Sequence, residues 1–100
     1  MRGRPSRANN RDLIEPEIVQ ALRAIPGVTV WHTDQPADLL VGFRGVNLIW
    51  EVKTPTEMGG RGLGLTKNER TFHATWTGQV QIISSVDQAI TEIERLASAR

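Results

Sequence analysis

The sequence predicts a single α/β domain in which helices sandwich a β-sheet. The 100-residue chain has the usual size of one domain, and its 39% hydrophobic content can supply one core. Apolar periodicity alternates between helical and strand-like spacing in the order αβββαβα. Two of the strands are apolar on both faces, which is typical of strands covered by helices on both sides.

The first helix is indicated by apolar residues at three- and four-residue steps from Ile14 to Ile25. Pro26-Gly27 ends this pattern. Because proline is tolerated only in the first turn of a helix, Pro16 leads us to expect a helix start within residues 12–15.

A β-hairpin follows a short strand at Val28–His32. Its strands cover residues 38–43 and 46–53, and Arg44-Gly45 form a two-residue turn between them. A flexible Gly-rich loop is predicted over residues 54–65, followed by a helix over residues 66–78. A strand over residues 79–84 and a final helix over residues 85–96 complete the chain. Both helices begin with a capping-box pattern, at Thr66 and Ser85.

The charge distribution is uneven along the chain. Four arginines, at positions 2, 4, 7 and 11, precede the first acidic residue, so the net charge of +1 leaves −3 on the remainder. We interpret residues 1–11 as a flexible basic arm and residues 12–98 as the domain, with Arg4, Arg7 and Arg11 as contacts to nucleic-acid phosphates. A tail that only aids solubility is the alternative interpretation.

Several classes of protein are excluded by composition. Cysteine is absent, which excludes disulfide frameworks, thiolate zinc sites, iron–sulfur clusters and a cysteine nucleophile. The chain has no run of about 18 apolar residues and no secretory signal pattern. We therefore expect a cytoplasmic protein with no membrane partner.

Three charged residues interrupt the apolar strands of the hairpin. Glu51 and Lys53 are two residues apart, so their side chains leave the same face of one strand. If Phe43 pairs with Val46 across the turn, the register places Asp38 opposite Glu51. Two carboxylates at this spacing can hold one cation, and hard oxygen ligands favour Mg²⁺ or Mn²⁺.

The chemistry that this trio suggests is hydrolysis of a phosphodiester. A bound metal would polarise the phosphate and lower the pKa of a bound water, and Lys53 would position that water or stabilise the developing charge. An E-x-K tripeptide by itself usually marks a solvated strand face. Here the charges lie in apolar strands, where unpaired charges are costly to bury, and a functional pocket explains that cost.

Pro36-Ala37-Asp38 and Glu51-Val52-Lys53 resemble the signature of the PD-(D/E)XK nuclease superfamily. The likeness runs from about Ile14 to Ile93 and is greatest to small phage and bacterial nucleases related to VRR-NUC and to archaeal Holliday-junction resolvases. It implies a restriction-endonuclease-like α/β/α sandwich with a central mixed sheet. It also implies a location in the cytoplasm of a bacterium or of a phage-infected host.

The resemblance implies a role for individual residues. The metal ligands would be Asp38, Glu51 and the Val52 carbonyl. Lys53 would be the catalytic lysine. Such nucleases often carry one more acid on the first helix, and Glu15 matches that pattern.

Three positions leave questions open within the resemblance. Glu17 competes with Glu15 for the role of the additional acid. Ala37 stands where the family name has proline directly before the acid, which affects only backbone preference. Glu69 stands where some relatives carry glutamine, so a metal or base-contacting role for it is in doubt.

Other polar and aromatic residues have simpler explanations. Glu69 completes the capping box that begins at Thr66, and His73 is more often structural than a ligand in such a helix. We interpret the tryptophans as packing residues, at positions 31, 50 and 76. Cations beside the Gly-rich loop are predicted phosphate contacts, namely Arg61, Lys67 and Arg70.

The function expected from these features is a metal-dependent endonuclease that hydrolyses phosphodiester bonds in DNA, including branched or structured DNA. A nucleic-acid-binding module that keeps the fold without cutting is the alternative, and RNA is not excluded as the substrate. One copy offers a single active site, so cutting both strands of a duplex would most simply take a homodimer.

Overall fold

A four-stranded β-sheet organises the chain, which a computed structural model describes for residues 7–99, with side chains from residue 14 onward. The strands are β1 Val28–His32, β2 Leu39–Phe43, β3 Val46–Val52 and β4 Gln81–Ile83. They lie in the order β1-β2-β3-β4; the first three pair antiparallel, and β4 pairs parallel to β3. The predicted α/β class and the mixed sheet are confirmed.

Helices occupy most of the remaining chain. They are α1 Arg7–Arg23, α2 Pro55–Met58, a 3-10 segment Arg61–Gly64, α3 Lys67–Thr75 and α4 Val86–Ser98. Among the helices described between residues 7 and 99, none combines the length and apolar character needed to cross a bilayer.

Helix α1 begins earlier than the sequence indicates. It starts at Arg7, and Pro16 lies inside it, so the expected start within residues 12–15 is wrong. An interior proline removes one backbone hydrogen bond, and the packing of the fully buried Ile18 and Leu22 holds the following turns in place. The expected boundary between residues 11 and 12 falls inside α1. The predicted phosphate contacts of the arm lie outside the described residues, because Met1–Ser6 and the side chains of residues 7–13 are not described.

The hydrophobic core lies on one face of the sheet, which we call the inner face. Alternate residues of β1 and β2 are buried there, and Trp50 of β3 is fully buried among them. Helices α1 and α4 contact each other and contribute the other side of the core, through Ile18, Val19, Leu22, Ala89 and Ile93.

The opposite face, which we call the outer face, is covered at one end only. Glu51 at the end of β3 is buried, whereas Trp31 of β1 is 74% exposed and Leu40 of β2 is 39% exposed. The expectation that both faces of the strands are covered is therefore wrong for β1 and β2. Packing was correctly predicted for Trp50 but not for Trp31 or the exposed Trp76. The cause is topological, since α1 and α4 pack on the same face of the sheet.

The hairpin turn determines the register of β2 and β3. Arg44 and Gly45 both have positive φ, 52° and 80°, as a two-residue turn with the twist of the flanking strands requires. Phe43 pairs with Val46 as predicted. The positions of all later residues of β3 relative to β2 follow from this turn.

The segment between β3 and α3 contains more structure than its glycines suggest. Thr54 caps α2, since its hydroxyl accepts from the Glu57 amide at 3.1 Å and its own amide donates to Glu57 Oε1 at 2.7 Å. The Gly-rich segment 54–65 is thus not a structureless loop. Thr54-Pro55-Thr56-Glu57 is a capping-box sequence with proline at the first helical position, and this signal could have identified α2.

The starts of α3 and α4 agree with the sequence. Thr66 and Glu69 form the complete capping box of α3. Ser85 caps α4 by accepting from the Gln88 amide at 3.0 Å, but the Gln88 side chain accepts from the Ser84 amide and not from Ser85. Helix α3 ends at Thr75, three residues before the predicted stop at Gly78.

Replacing Gly45 with alanine tests the turn. A Cβ at position 45 would meet nothing within 4 Å, so the only cost is that of an L side chain at φ +80°. We expect Gly45→Ala to lower the free energy of unfolding by about 1–2 kcal/mol, measured from the urea midpoint at unchanged m. The control is Gly59→Ala, where φ is −80°, and no loss is expected. Equal midpoints for the two variants would contradict the assigned turn conformation.

Candidate active site

Asp38 is fixed at the start of β2 by backbone groups on both sides. The Val52 amide donates to Asp38 Oδ2 at 2.8 Å, and the Thr33 amide donates to the Asp38 carbonyl at 2.9 Å. The register of β2 and β3, continued by one residue, places Asp38 opposite Glu51. The juxtaposition of these two acids is the one that the sequence predicts.

Glu51 and Lys53 are positioned by the parallel pairing of β3 with β4. Glu51 pairs with Ile82, and the Lys53 amide donates to the Ile83 carbonyl at 3.1 Å, one residue beyond the end of β3. Both side chains belong to the outer face by their spacing. Glu51 is 1% exposed and Lys53 is 3% exposed, so two ionisable groups are buried side by side.

Lys53 contacts two carboxyl groups. Its Nζ atom lies 3.5 Å from Glu51 Oε2 and 3.1 Å from Glu69 Oε1. Glu69 Oε1 also accepts from the Thr66 amide at 2.9 Å, within the capping box of α3. Glu69 therefore holds the first turn of α3 and the buried lysine at the same time.

The pKa of Glu51 is raised from 4.5 to about 8. Burial is the largest cause; the negative charges of Asp38 and Glu69 and a hydrogen bond with Glu69 act in the same direction, while Lys53 opposes them. Burial would also raise the pKa of Glu69, but hydrogen bonds with Thr66, Lys53 and Glu51 lower it overall. The two carboxyl groups thus act as a pair in which Glu51 holds the proton and Glu69 is ionised.

His73 lies one helical turn after Glu69 on α3. Its Nε2 atom is buried and has no hydrogen-bond partner among the described residues. Burial lowers the pKa of His73, and the charge of Lys53 adds to this effect, while Glu69 opposes it. The imidazole is therefore neutral at pH 7 and belongs to the margin of the charged cluster.

The acids at the end of β3 form a donor set that fits a hard divalent cation. Glu51 Oε2 is buried without a hydrogen-bond partner among the described residues, and it lies beside the negative charges of Asp38 and Glu69. A cation there would compensate that repulsion. Across residues 14–99, no set of three or more His, Cys, Asp or Glu side chains is grouped to hold a metal. A site with two carboxylates is compatible with Mg²⁺ or Mn²⁺, which bind through one or two carboxylates and keep several waters.

The two candidates for the additional acid on α1 differ in their surroundings. Glu15 Oε2 lies 3.1 Å from Nδ1 of His32, and Glu17 is exposed. His32 pairs with Leu39, the residue after Asp38, so Glu15 approaches this end of the sheet from α1. By alternation His32 belongs to the inner face, whereas Asp38 and Glu51 belong to the outer face. The choice between Glu15 and Glu17 therefore stays a prediction.

The predicted phosphate contacts near the Gly-rich segment are all exposed. Arg70 Nη1 donates to the Leu65 carbonyl at 3.0 Å, which holds this side chain against the segment. Lys67 and Arg70 are on the first turns of α3, whose Glu69 reaches Lys53. Arg61 lies in the 3-10 segment that precedes α3, and the roles of all three cations stay predictions.

Comparisons with family models, with curated proteins and with solved structures find no match to this chain. The resemblance to PD-(D/E)XK nucleases accordingly rests on Asp38, Glu51 and Lys53 and on the elements that carry them.

The ion pair between Lys53 and Glu69 was not predicted. The capping box gives Glu69 a local explanation, and no periodicity relates a residue of α3 to one of β3. Only the packing of α3 beside the end of β3 reveals that one carboxyl group serves both contacts.

The raised pKa of Glu51 predicts a pH-dependent effect of Glu51→Gln in the metal-free protein. Between pH 4.5 and about 8 the folded state keeps a proton that the unfolded state releases, so stability falls as the pH rises through this window. Glutamine carries no such penalty. In excess chelator we expect Glu51→Gln to gain about 1 kcal/mol or more above pH 8, a rise of roughly 4–8 °C in Tm, and to gain nothing below pH 4.5.

Thermal unfolding followed by circular dichroism at both ends of this window measures the effect. The matched control is Glu17→Gln, an exposed acid on α1, which should stay within about 0.5 kcal/mol of the unmodified protein at both pH values. A stability difference for Glu51→Gln that does not change with pH would contradict the raised pKa.

Proposed function

We propose that this protein is a metal-dependent nuclease that hydrolyses phosphodiester bonds in DNA, with Asp38, Glu51 and Lys53 as its catalytic residues. The observation that carries the proposal is the burial of Lys53 against Glu51 and Glu69 at the point where Asp38 faces Glu51 across two strands. These are the residue types that cleavage of a phosphodiester needs. Carboxylate oxygens can bind a divalent metal ion, and the lysine ammonium group can stabilise the negative charge that develops on the phosphate.

Stability alone gives a poor account of this cluster. Burying charged groups costs several kcal/mol per ion before pairing, and replacing a buried ion pair by apolar residues is often neutral or stabilising. Glu51 retains an oxygen without a hydrogen bond among the described residues, and two buried or partly buried carboxyl groups contact one buried lysine. A chain that needed only a stable core would gain by losing these charges, so their presence supports a role in binding or catalysis.

Each residue has a distinct task in the proposed reaction. Asp38 and Glu51, with the Val52 carbonyl, would hold Mg²⁺ or Mn²⁺. The cation, when bound, supplies charge neutralisation for the phosphate and an acidified water. Lys53 donates hydrogen bonds to the reacting oxygens, and Glu69 positions the Lys53 ammonium group from α3.

The surroundings support a nucleic-acid substrate. The positive side chains of Arg61, Lys67 and Arg70 are exposed near the start of α3 and suit contacts to phosphates. The arm arginines would add further sequence-independent affinity. The order of elements and the mixed sheet are compatible with the restriction-endonuclease-like core that the motif implies. In this proposal the enzyme works in the cytoplasm, and a homodimer would cut both strands.

The first test is cleavage of supercoiled plasmid and of labelled oligonucleotides by single variants. Asp38→Asn, Glu51→Gln and Lys53→Ala should each reduce the rate by orders of magnitude, because the three residues act as one unit. Glu92→Gln, an acid on α4 that pairs with Arg95, is the control and should cut as the unmodified protein does. Near-normal cleavage by any of the three variants would refute its assigned role. Binding without cleavage by the unmodified protein would indicate a non-cleaving module instead.

The second test is metal selectivity. Mg²⁺ and Mn²⁺ should support cleavage, whereas Ca²⁺ should support binding only, because its longer and looser coordination misplaces the reacting groups. Zn²⁺ should not be required. Cleavage rates measured with each ion after chelator treatment provide the comparison, and full activity in excess chelator would refute the metal-dependent mechanism.

A further inference from the structure

The outer face of the sheet carries three cross-strand rows of different chemistry. Pairing of β1 with β2 and of β2 with β3 defines them. The first row, nearest the hairpin turn, is Thr29, Gly42 and Asn47. The second, which we call the apolar row, is Trp31, Leu40 and Ile49. The third, which we call the acidic row, is Thr33, Asp38 and Glu51.

Two of the three side chains of the apolar row are exposed to solvent. Trp31 is 74% exposed and Leu40 39% exposed, and they face each other directly across β1 and β2. The neighbouring row nearer the turn carries polar or no side chains, at Thr29, Gly42 and Asn47. The Trp31 side chain is therefore largely in solvent and lies outside the core.

We propose that the apolar row, with Trp31 as its aromatic residue, is a stacking platform for an unpaired nucleobase of the substrate strand. The inference rests on the proposed nuclease function and defines its substrate class as nucleic acid with unpaired nucleotides at the site. An aromatic ring stacks on any base through its π-face, without regard to sequence. A base inside a duplex is already stacked on both sides, so it must be unpaired or extruded to reach the platform.

The spacing of the two rows supports this assignment. Adjacent rows on one face of a strand are separated by two residues, about 6.8 Å. This separation is comparable with the span from the phosphate to the base of one nucleotide. A nucleic-acid strand with a phosphate at the acidic row can thus place an adjacent base on the apolar row, because both rows lie on the same face of the sheet.

The test is binding of a labelled single-stranded DNA oligonucleotide in excess chelator, followed by fluorescence anisotropy. Trp31→Ala should weaken binding roughly 5- to 150-fold, the range for loss of one base-stacking aromatic. Trp31→Phe should keep most of the affinity, because it keeps a ring. The control is Val46→Ala, an apolar residue that is 39% exposed and pairs at the turn, and it should bind as the unmodified protein does.

Two further substrates identify the group that the platform binds. The same sequence as a blunt duplex should bind the unmodified protein and Trp31→Ala within about twofold of each other, since a paired base cannot stack on the ring. An oligonucleotide of abasic sites should abolish the difference between these two proteins. Equal affinity of the two proteins for the normal single strand would overturn the platform, and so would a difference that persists with the abasic strand.

A second copy of the chain is the competing occupant of this face. If Trp31→Ala converts a dimer to a monomer in sedimentation and leaves the single-strand affinity unchanged, the face is a dimer contact and the platform is wrong. The variant should fold, because Trp31 is exposed. Circular dichroism measures this, and Trp31→Phe is the conservative variant for comparison.

These measurements separate the platform from the nuclease proposal. Because binding is measured in chelator, it does not require cleavage. Trp31-dependent binding by a protein that never cuts with Mg²⁺ would support the platform and refute the nuclease. Cleavage with Mg²⁺ by a protein whose single-strand binding ignores Trp31 would support the nuclease and refute the platform.

Discussion

The burial of Lys53 is the constraint on which the organisation of the site depends. An ammonium group excluded from water is tolerated only with compensating partners, and Glu51 and Glu69 supply them from β3 and α3. Glu69 also caps α3. One side chain therefore connects the end of the central strand, the buried lysine and the start of the helix, and a change at any of the three would disturb the others.

The distribution of protons follows from the same packing. Three carboxyl groups and one lysine lie at the end of β3, and the cluster lowers its charge by leaving a proton on Glu51, the most deeply buried acid. Asp38 is held by the Val52 amide, and its charge is one cause of that protonation. The cluster at neutral pH is thus less anionic than a count of its acids indicates, which for the proposed substrate would reduce the repulsion of a nucleic-acid backbone.

The sequence predicted the features that local rules determine. The turn at Arg44-Gly45 and the two-residue period of strands were sufficient to place Asp38 opposite Glu51 and Lys53 beside it. Features that depend on packing between distant elements could not be predicted, including the contact of Glu69 with Lys53 and the position of α1 and α4 on one face. The exposure of Trp31 follows from that one-sided packing, since periodicity shows that a strand is apolar on both faces but not which face a helix covers.

The two faces of the sheet differ in how strongly their side chains contribute to stability. The inner face carries the close-packed core, where a change of one methylene is felt in stability. The outer-face positions 29, 31, 40 and 47 contribute little buried area, and substitutions there cost little stability. For the proposed platform, changes on the outer face would alter ligand preference, while the inner face would preserve folding.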